Sequence, residues 1–355
     1  MFGNLGLAYI ILLAFAAVEF TAGAFWGLAP AANYFSYGGL RQMLPGWLLP
    51  GLIWFGLLSV EITKRQVDQP IRAFRKTVYM RRHWLTRGML FILLMLPMGR
   101  AISSYKSAIP RIVPFYADPY LAAADRALFG IDPWRITHAL IGPVGTVFLD
   151  RAYTVWFAMM MVMFGWFCFT SNMKLQARGL LSYLLCWSLL GSLAATALSS
   201  VGPCFYFHFY GSHQFDGLTN QLAMVDAKYG LFAPMEAKFL MNQFETGSLG
   251  SGISAMPSLH VSIAFLFFFA TLTNVRQLWI KLIAGSYAII ILVASVHLGW
   301  HYAVDGLFSI VCTAIIWWSA GYLVDWCERR TAQKPVVAES EPAGTGQVIP
   351  PPAMT

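Results

Sequence analysis

About eight apolar runs constrain this chain more than any other feature: residues 5–28, 47–60, 88–103, 152–170, 180–199, 257–272, 279–295 and 302–326. Roughly 20 apolar residues cross a bilayer as a helix, and most of these runs approach that length; the second is short. Period-two alternation of apolar and polar residues, which a transmembrane barrel requires, does not recur. Inside lipid every backbone amide needs a partner within the chain, and a helix supplies it. The expected fold class is therefore all-α, a polytopic membrane helix bundle of about eight transmembrane helices. Composition agrees, since 58% of residues are hydrophobic and 11% charged, whereas soluble domains carry about 25% charged residues.

Charge orients the bundle. Lys64, Arg65, Arg72, Arg75, Lys76, Arg81, Arg82 and Arg87 follow the second run, and Lys174 and Arg178 the fourth. Arg276 and Lys281 lie between the sixth and seventh runs, and Arg329, Arg330 and Lys334 follow the last. Counting crossings places all four clusters on one side, and short basic loops are retained in the cytoplasm. Both termini are then cytoplasmic. The net charge of +8 belongs to these loops, so no nucleic-acid partner is expected. Residues 71–84 read either as a basic amphipathic helix against anionic headgroups or as a solvated loop.

The N-terminus lacks the basic start and cleavage site of a signal peptide, so the first run is expected to remain as an anchor. Of the five cysteines only Cys204 is external, and no disulfide framework is expected. Three regions follow: residues 1–103 as N-terminal transmembrane helices with a basic cytoplasmic loop, 104–328 as a catalytic membrane core, and 329–355 as a disordered cytoplasmic tail.

The polar residues that stand out are His260, His301 and Asp305, each where an apolar run meets a polar loop on the external side. Ionisable groups near membrane depth are functional hypotheses by default. His260 follows the stretch Gly250-Ser251-Gly252-Ile253-Ser254-Ala255-Met256-Pro257-Ser258. Small residues let backbone amides approach an anion, and a helix started by Pro257 would turn its N-terminal dipole toward negative charge. His301 and Asp305 are four apart and share a face if Tyr302 begins a helix. A carboxylate beside an imidazole fixes its tautomer and supports the imidazolium. His297 lies four residues further back and would extend the same face, although the chain is expected to turn between the two runs there. Two external loops, 104–151 and 200–256, are long enough to be functional, with short interfacial helices expected near 120–128 and 221–241.

These residues resemble a family. Met256-Pro257-Ser258-Leu259-His260 is similar to the second motif of the type-2 phosphatidic acid phosphatase superfamily, and the segment from Ser295 to Asp305 is similar to its third. The closer resemblance is to the branch of inositol phosphorylceramide synthases and related bacterial membrane proteins. There a His-Tyr pair precedes the final Asp, and a segment like Asp125-Arg126-Ala127-Leu128-Phe129-Gly130-Ile131-Asp132-Pro133 precedes the core.

The resemblance implies His301 as a nucleophile that becomes a phosphohistidine, Asp305 as its orienting partner, and His260 as the acid that protonates the leaving oxygen. It implies phosphate binding by Ser258 and Gly252, with His297 and Tyr302 in support. Two features of the wider superfamily are missing: Ser295 stands where its third motif carries a phosphate-binding Arg, and its first motif, Lys followed by six residues and Arg-Pro, is absent in strict form. Lys106 and Arg111 are the substitutes on the external side.

The expected function is a lipid phosphatase or phosphotransferase, with sphingolipid or other lipid alcohols as possible acceptors. Its partners would be a lipid phosphate or phospholipid and the membrane itself, with the oligomeric state open. No metal or cofactor is expected, because basic side chains and loop amides can meet phosphate charge. A bacterial cytoplasmic membrane with a periplasmic site is the expected location. Two alternatives remain: a metal-dependent hydrolase with His260, His297, His301 and Asp305 as ligands, and a non-catalytic transporter.

Overall fold

The computed structural model describes residues 5–26, 52, 56, 59–60, 69–247 and 252–332. The expected run at 47–60, apart from isolated residues, and the expected tail from 333 onward lie outside the described residues, as do Gly250 and Ser251. No strand occurs among the described residues. The helices are α1 (Gly6–Trp26), α2 (Pro70–Met80), α3 (Arg82–Ile112), α4 (Asp118–Phe129), α5 (Pro133–Leu140) and α6 (Pro143–Phe169). They continue as α7 (Met173–Ala197, π-helical over Cys186–Ala194), α8 (Asp216–Tyr229), α9 (Phe232–Glu245), α10 (Leu259–Asn274), α11 (Leu278–His297) and α12 (Ala303–Ala332).

The protein is an all-α polytopic bundle. Six of these helices, α1, α3, α6, α7, α11 and α12, are long and apolar enough to cross a bilayer, and α10 is a shorter apolar helix of 16 residues. Seven of the expected runs thus correspond to helices. Leu282, Ile283 and Ile289 on α11 and Val311, Ile315 and Trp318 on α12 are exposed, as expected of sides turned to lipid. Ala284, Ala288, Ile291 and Ala294 on the other side of α11 are buried, and the small size of the three alanines lets α10 and α6 approach closely.

The first expected external loop is shorter than its sequence implies. Polar residues from Ser104 to Ser107 read as loop, but α3 runs on to Ile112. The Ser107 hydroxyl donates to the Ser103 carbonyl at 3.0 Å, and Ser104 is wholly buried. Those residues face the bundle interior, so polarity there marks an inner face. Helices occupy both of the places expected, as α4, α8 and α9. Residues 70–80 form the helical alternative of the two readings for that segment.

The basic segments gather at one end. The Trp84 indole donates to the Phe169 carbonyl at 3.0 Å, Lys174 pairs with Asp325 at 3.1 Å and Glu328 at 2.6 Å, and Arg178 stacks over Trp317 at 3.8 Å. The starts of α3 and α7 and the end of α12 therefore lie together.

At the other end three buried aspartates tie loops to helices. Asp118 accepts from the amides of Val201 and Gly202 and from the hydroxyls of Tyr210 and Tyr302, at 2.8 to 3.1 Å. Asp125, on α4, caps the start of α12 by accepting from the amides of Ala303 and Val304, both at 2.9 Å. Asp150, on α6, does the same for α9 through Phe232 and Ala233, at 2.9 and 2.8 Å. A carboxylate at a helix N-terminus satisfies orphan amides and the dipole together.

Candidate active site

Helix α10 does not begin at Pro257. It begins at Leu259, and Ser258 is its N-cap, accepting from the Val261 amide at 3.4 Å. His260 is thus the second residue of the helix. Its ring packs against those of Tyr153, parallel within 17° at 4.4 Å, and Trp156, tilted by 38° at 4.2 Å. The Trp156 indole also donates to the His260 carbonyl at 2.9 Å. This aromatic packing leaves the imidazole little freedom to rotate.

His301 lies in the turn between α11 and α12. That turn is held from inside, since the amides of Trp300 and His301 donate to the Ser295 carbonyl at 3.0 and 3.1 Å. Asp305 does not share a helix with His301, because α12 starts at Ala303, yet the two side chains approach. His301 Nδ1 is 2.7 Å from the Ala255 carbonyl oxygen and 3.5 Å from Asp305 Oδ2. Asp305 Oδ2 also accepts from the Tyr302 amide at 3.0 Å. Both acceptors lie on the Nδ1 side, which assigns the proton to that nitrogen and leaves Nε2 with its lone pair.

The rings of His260 and His301 are 6.2 Å apart between centroids and line one cavity of about 250 Å³. Lys106, from α3, and Gly252 share its wall. A Cβ on Gly252 would sit 3.1 Å from Lys106 Cβ, so the small residue lets the loop cross the lysine stem. One ammonium and two imidazoles around one space suit an anion, and the Asp150 and Glu236 carboxylates share the same wall. Tyr153, Trp156, Phe157, Phe205 and Trp300 make most of the remaining wall apolar, which suits an acyl-bearing molecule.

Carboxylates surround this centre. Asp118 and Asp125 both have pKa values raised above the usual range by burial, against the pull of their amide donors; for Asp125 the value is about 6. Glu236, on α9 at the cavity wall, is likewise raised, by burial and then by the Asp150 carboxylate.

A family model described as the PAP2 superfamily matches residues 119–319. The chain belongs to the PAP2 superfamily. Membership carries a phosphatase-type activity on phosphorylated substrates and a membrane-embedded helical core. No curated protein and no solved structure matches the chain. The PAP2 match takes in Asp125, Tyr153, His260, His301 and Asp305 but not Lys106, which α3 brings to the cavity from outside the matched segment.

The structure brings together His260, His301, Lys106 and Gly252, with Asp305 behind His301. It does not bring the remaining expected residues to the cavity wall. Arg111 is exposed near the end of α3, and Ser258 is a buried cap. Tyr302 turns its hydroxyl to Asp118.

His297 does not extend the face of His301, because the chain turns at Leu298–Tyr302 with Gly299 at φ 78°. Its ring stacks on His138 at 3.8 Å, and its two nitrogens meet the Thr146 and Thr137 hydroxyls at 2.9 and 3.1 Å. It therefore clamps α11 to α5 and α6 and is not available to a ligand set with His301. No group of three His, Cys, Asp or Glu side chains suited to a metal ion occurs among the described residues.

The sequence reading passed over Tyr153, Trp156 and Asp150. The two aromatic residues sit inside an apolar run and carry no local signal. Asp150 beside Arg151 looks like a solvated pair, and only the amides of α9, more than 80 residues on, reveal its work.

Proposed function

We propose that this protein is an integral-membrane lipid phosphatase or phosphotransferase working through a phosphohistidine at His301. The observation that carries the reading is the placing of His260 and His301 across one cavity, with the His301 Nδ1 side held by Ala255 and Asp305. Nε2 of His301 attacks phosphorus, and the bond to the lipid oxygen breaks. His260 gives its proton to that oxygen, a general-acid contribution of roughly 10²–10⁴-fold. Water or a lipid hydroxyl then attacks phosphorus, the N–P bond breaks, and His260 recovers a proton from the incoming oxygen. Asp305 stabilises the positive charge on His301 in both steps. No step uses a metal.

The basic end of the bundle supports a cytoplasmic face there by the positive-inside rule, and with it a cavity that opens to the periplasmic or lumenal side. The capping of α12 by Asp125 links the segment 125–133 to the His301 turn, which favours the synthase-like branch of the superfamily and a catalytic core spanning residues 104–328.

The test is phosphate release by purified, detergent-solubilised protein from a panel of lipid phosphates, with His301→Ala as control. Release that vanishes in the variant supports the reading with water as acceptor. No release from any lipid calls for the same panel with phospholipid donors and lipid alcohols. Turnover that survives His301→Ala overturns it.

A further inference from the structure

Buried polar groups are hydrogen-bonded as a rule, and each exception needs a reason. Four residues of the cavity wall between His260 and His301 carry such exceptions: the hydroxyls of Tyr153 and Ser254 and the indole N–H groups of Trp187 and Trp300. None has a hydrogen-bond partner among the described residues. They come from four segments, α6, α7, the loop before α10 and the turn before α12, and Tyr153, Ser254 and Trp300 are the three tied to the two histidines.

Their surroundings converge on the two histidines. The Tyr153 ring stacks on His260 at 4.4 Å and runs parallel to Trp300, within 5° at 6.4 Å. Ser254 precedes Ala255, whose carbonyl holds His301. Tyr153 is only 8% exposed, so its hydroxyl has no bulk water in reach as a substitute partner. Ser295 contributes nothing to this space, since it is wholly buried and its hydroxyl donates to the Leu292 carbonyl at 2.8 Å. Lys106 is thus the one lysine or arginine on the cavity wall among the described residues, too few donors for a phosphate with several oxygens.

We propose that Tyr153, Ser254 and Trp300 form a neutral donor set that binds the oxygens of the phosphate not taking part in bond exchange. Lys106 supplies the charge and the three donors supply direction. The assignment rests on the proposed phosphoryl chemistry for the identity of the ligand. Neutral donors suit this place because they cost less to bury than a second cation, and they are worth most to an anion in a site that excludes water.

The test uses the purified full-length protein in detergent, with inorganic phosphate and orthovanadate as probes. Tyr153→Phe keeps the ring that stacks on His260 and removes only the hydroxyl; Ser254→Ala removes the other. Each variant is expected to raise the Kd for either probe roughly tenfold, the worth of one hydrogen bond to a charged group. Thermal stability should hold in both, since no protein partner is lost.

Unchanged affinity in both variants overturns the proposal, as does a fall in stability with affinity intact, which would reveal a structural partner. A wild-type protein that binds neither probe also overturns it. Turnover that survives His301→Ala would remove the phosphohistidine reading alone, because probe affinity judges the donor set without turnover.

Discussion

His301 Nδ1 lies 2.7 Å from the carbonyl oxygen of Ala255, closer than its 3.5 Å approach to Asp305. A backbone carbonyl from the His260 loop therefore holds the proton of the other histidine, and the two motif segments are locked to each other through one hydrogen bond. The geometry separates two duties that a carboxylate usually performs at once. Ala255 holds the Nδ1 proton, and in the proposed mechanism Asp305 supplies the negative charge.

This division sets the expected cost of Asp305→Asn. With the tautomer still fixed by Ala255, only charge stabilisation of the imidazolium is lost. A hydrogen bond to a charged group is worth roughly 1.5–3 kcal/mol, or about 10- to 100-fold in rate. Turnover should fall by that factor, whereas His301→Ala should abolish it. Single-turnover rates of the two variants decide the matter: equal losses would mean that Asp305 also sets the tautomer.

Gly202 is held at φ 91°, and a Cβ there would meet the Trp300 carbonyl oxygen at 2.5 Å and Ala255 Cβ at 3.2 Å. Its amide donates to Asp118 at 2.8 Å, so the residue is fixed in place from the other side. Gly202→Ala should lower stability by at least about 1–3 kcal/mol from backbone strain alone, and the displaced Trp300 and Ala255 should carry activity down with it. Gly130, at φ 79° with open space around its position, provides the comparison. Gly130→Ala should cost less stability in thermal unfolding and leave turnover intact.

How much of this was legible in the sequence depends on whether the signal was local. Apolar runs marked the spanning helices, and the meeting of run and loop put His260 and His301 at one end of the bundle. Polar residues inside α3 were misread as loop because a sequence pattern does not distinguish an inward polar face from solvent. Ser258 and His297 fit a functional spacing, but one caps a helix and the other packs between threonines. The aspartate clasps were invisible for a further reason. Asp118 and Tyr302 are 184 residues apart, and a side chain that accepts from distant amides leaves no periodicity to read.

Asp125 predicts a pH dependence. Its pKa in the folded protein is raised from 3.8 to about 6, first by burial, with smaller contributions from Asp305 and Asp132. A raised value means the folded state holds the proton more tightly than the unfolded chain. The contribution to stability is then fully present below about 3.8, falls as pH rises, and is gone above about 6. Asp125→Asn keeps an acceptor for the Ala303 and Val304 amides but does not titrate. The stability of the wild type relative to this variant should therefore decline between pH 4 and pH 6 and stay level above. Thermal unfolding of both proteins across that range checks it; a difference that rises with pH would contradict the assignment.

Metal dependence separates the proposed chemistry from the hydrolase alternative. Phosphoryl transfer needs the charge on the non-bridging oxygens to be met, by a cation or by fixed donors. Here Lys106 and the imidazoles face the cavity together, while His297, the ligand such an alternative would need beside His301, spends both ring nitrogens on Thr137 and Thr146. Phosphate release should therefore be unchanged after dialysis against excess EDTA, and added Mg²⁺ or Zn²⁺ should not raise it. Lys106→Ala should instead lower it, by weakening phosphate binding. Activity that disappears with the chelator and returns with a divalent ion would transfer the role of Lys106 to a metal, and His301 would then be read as a ligand in place of a nucleophile.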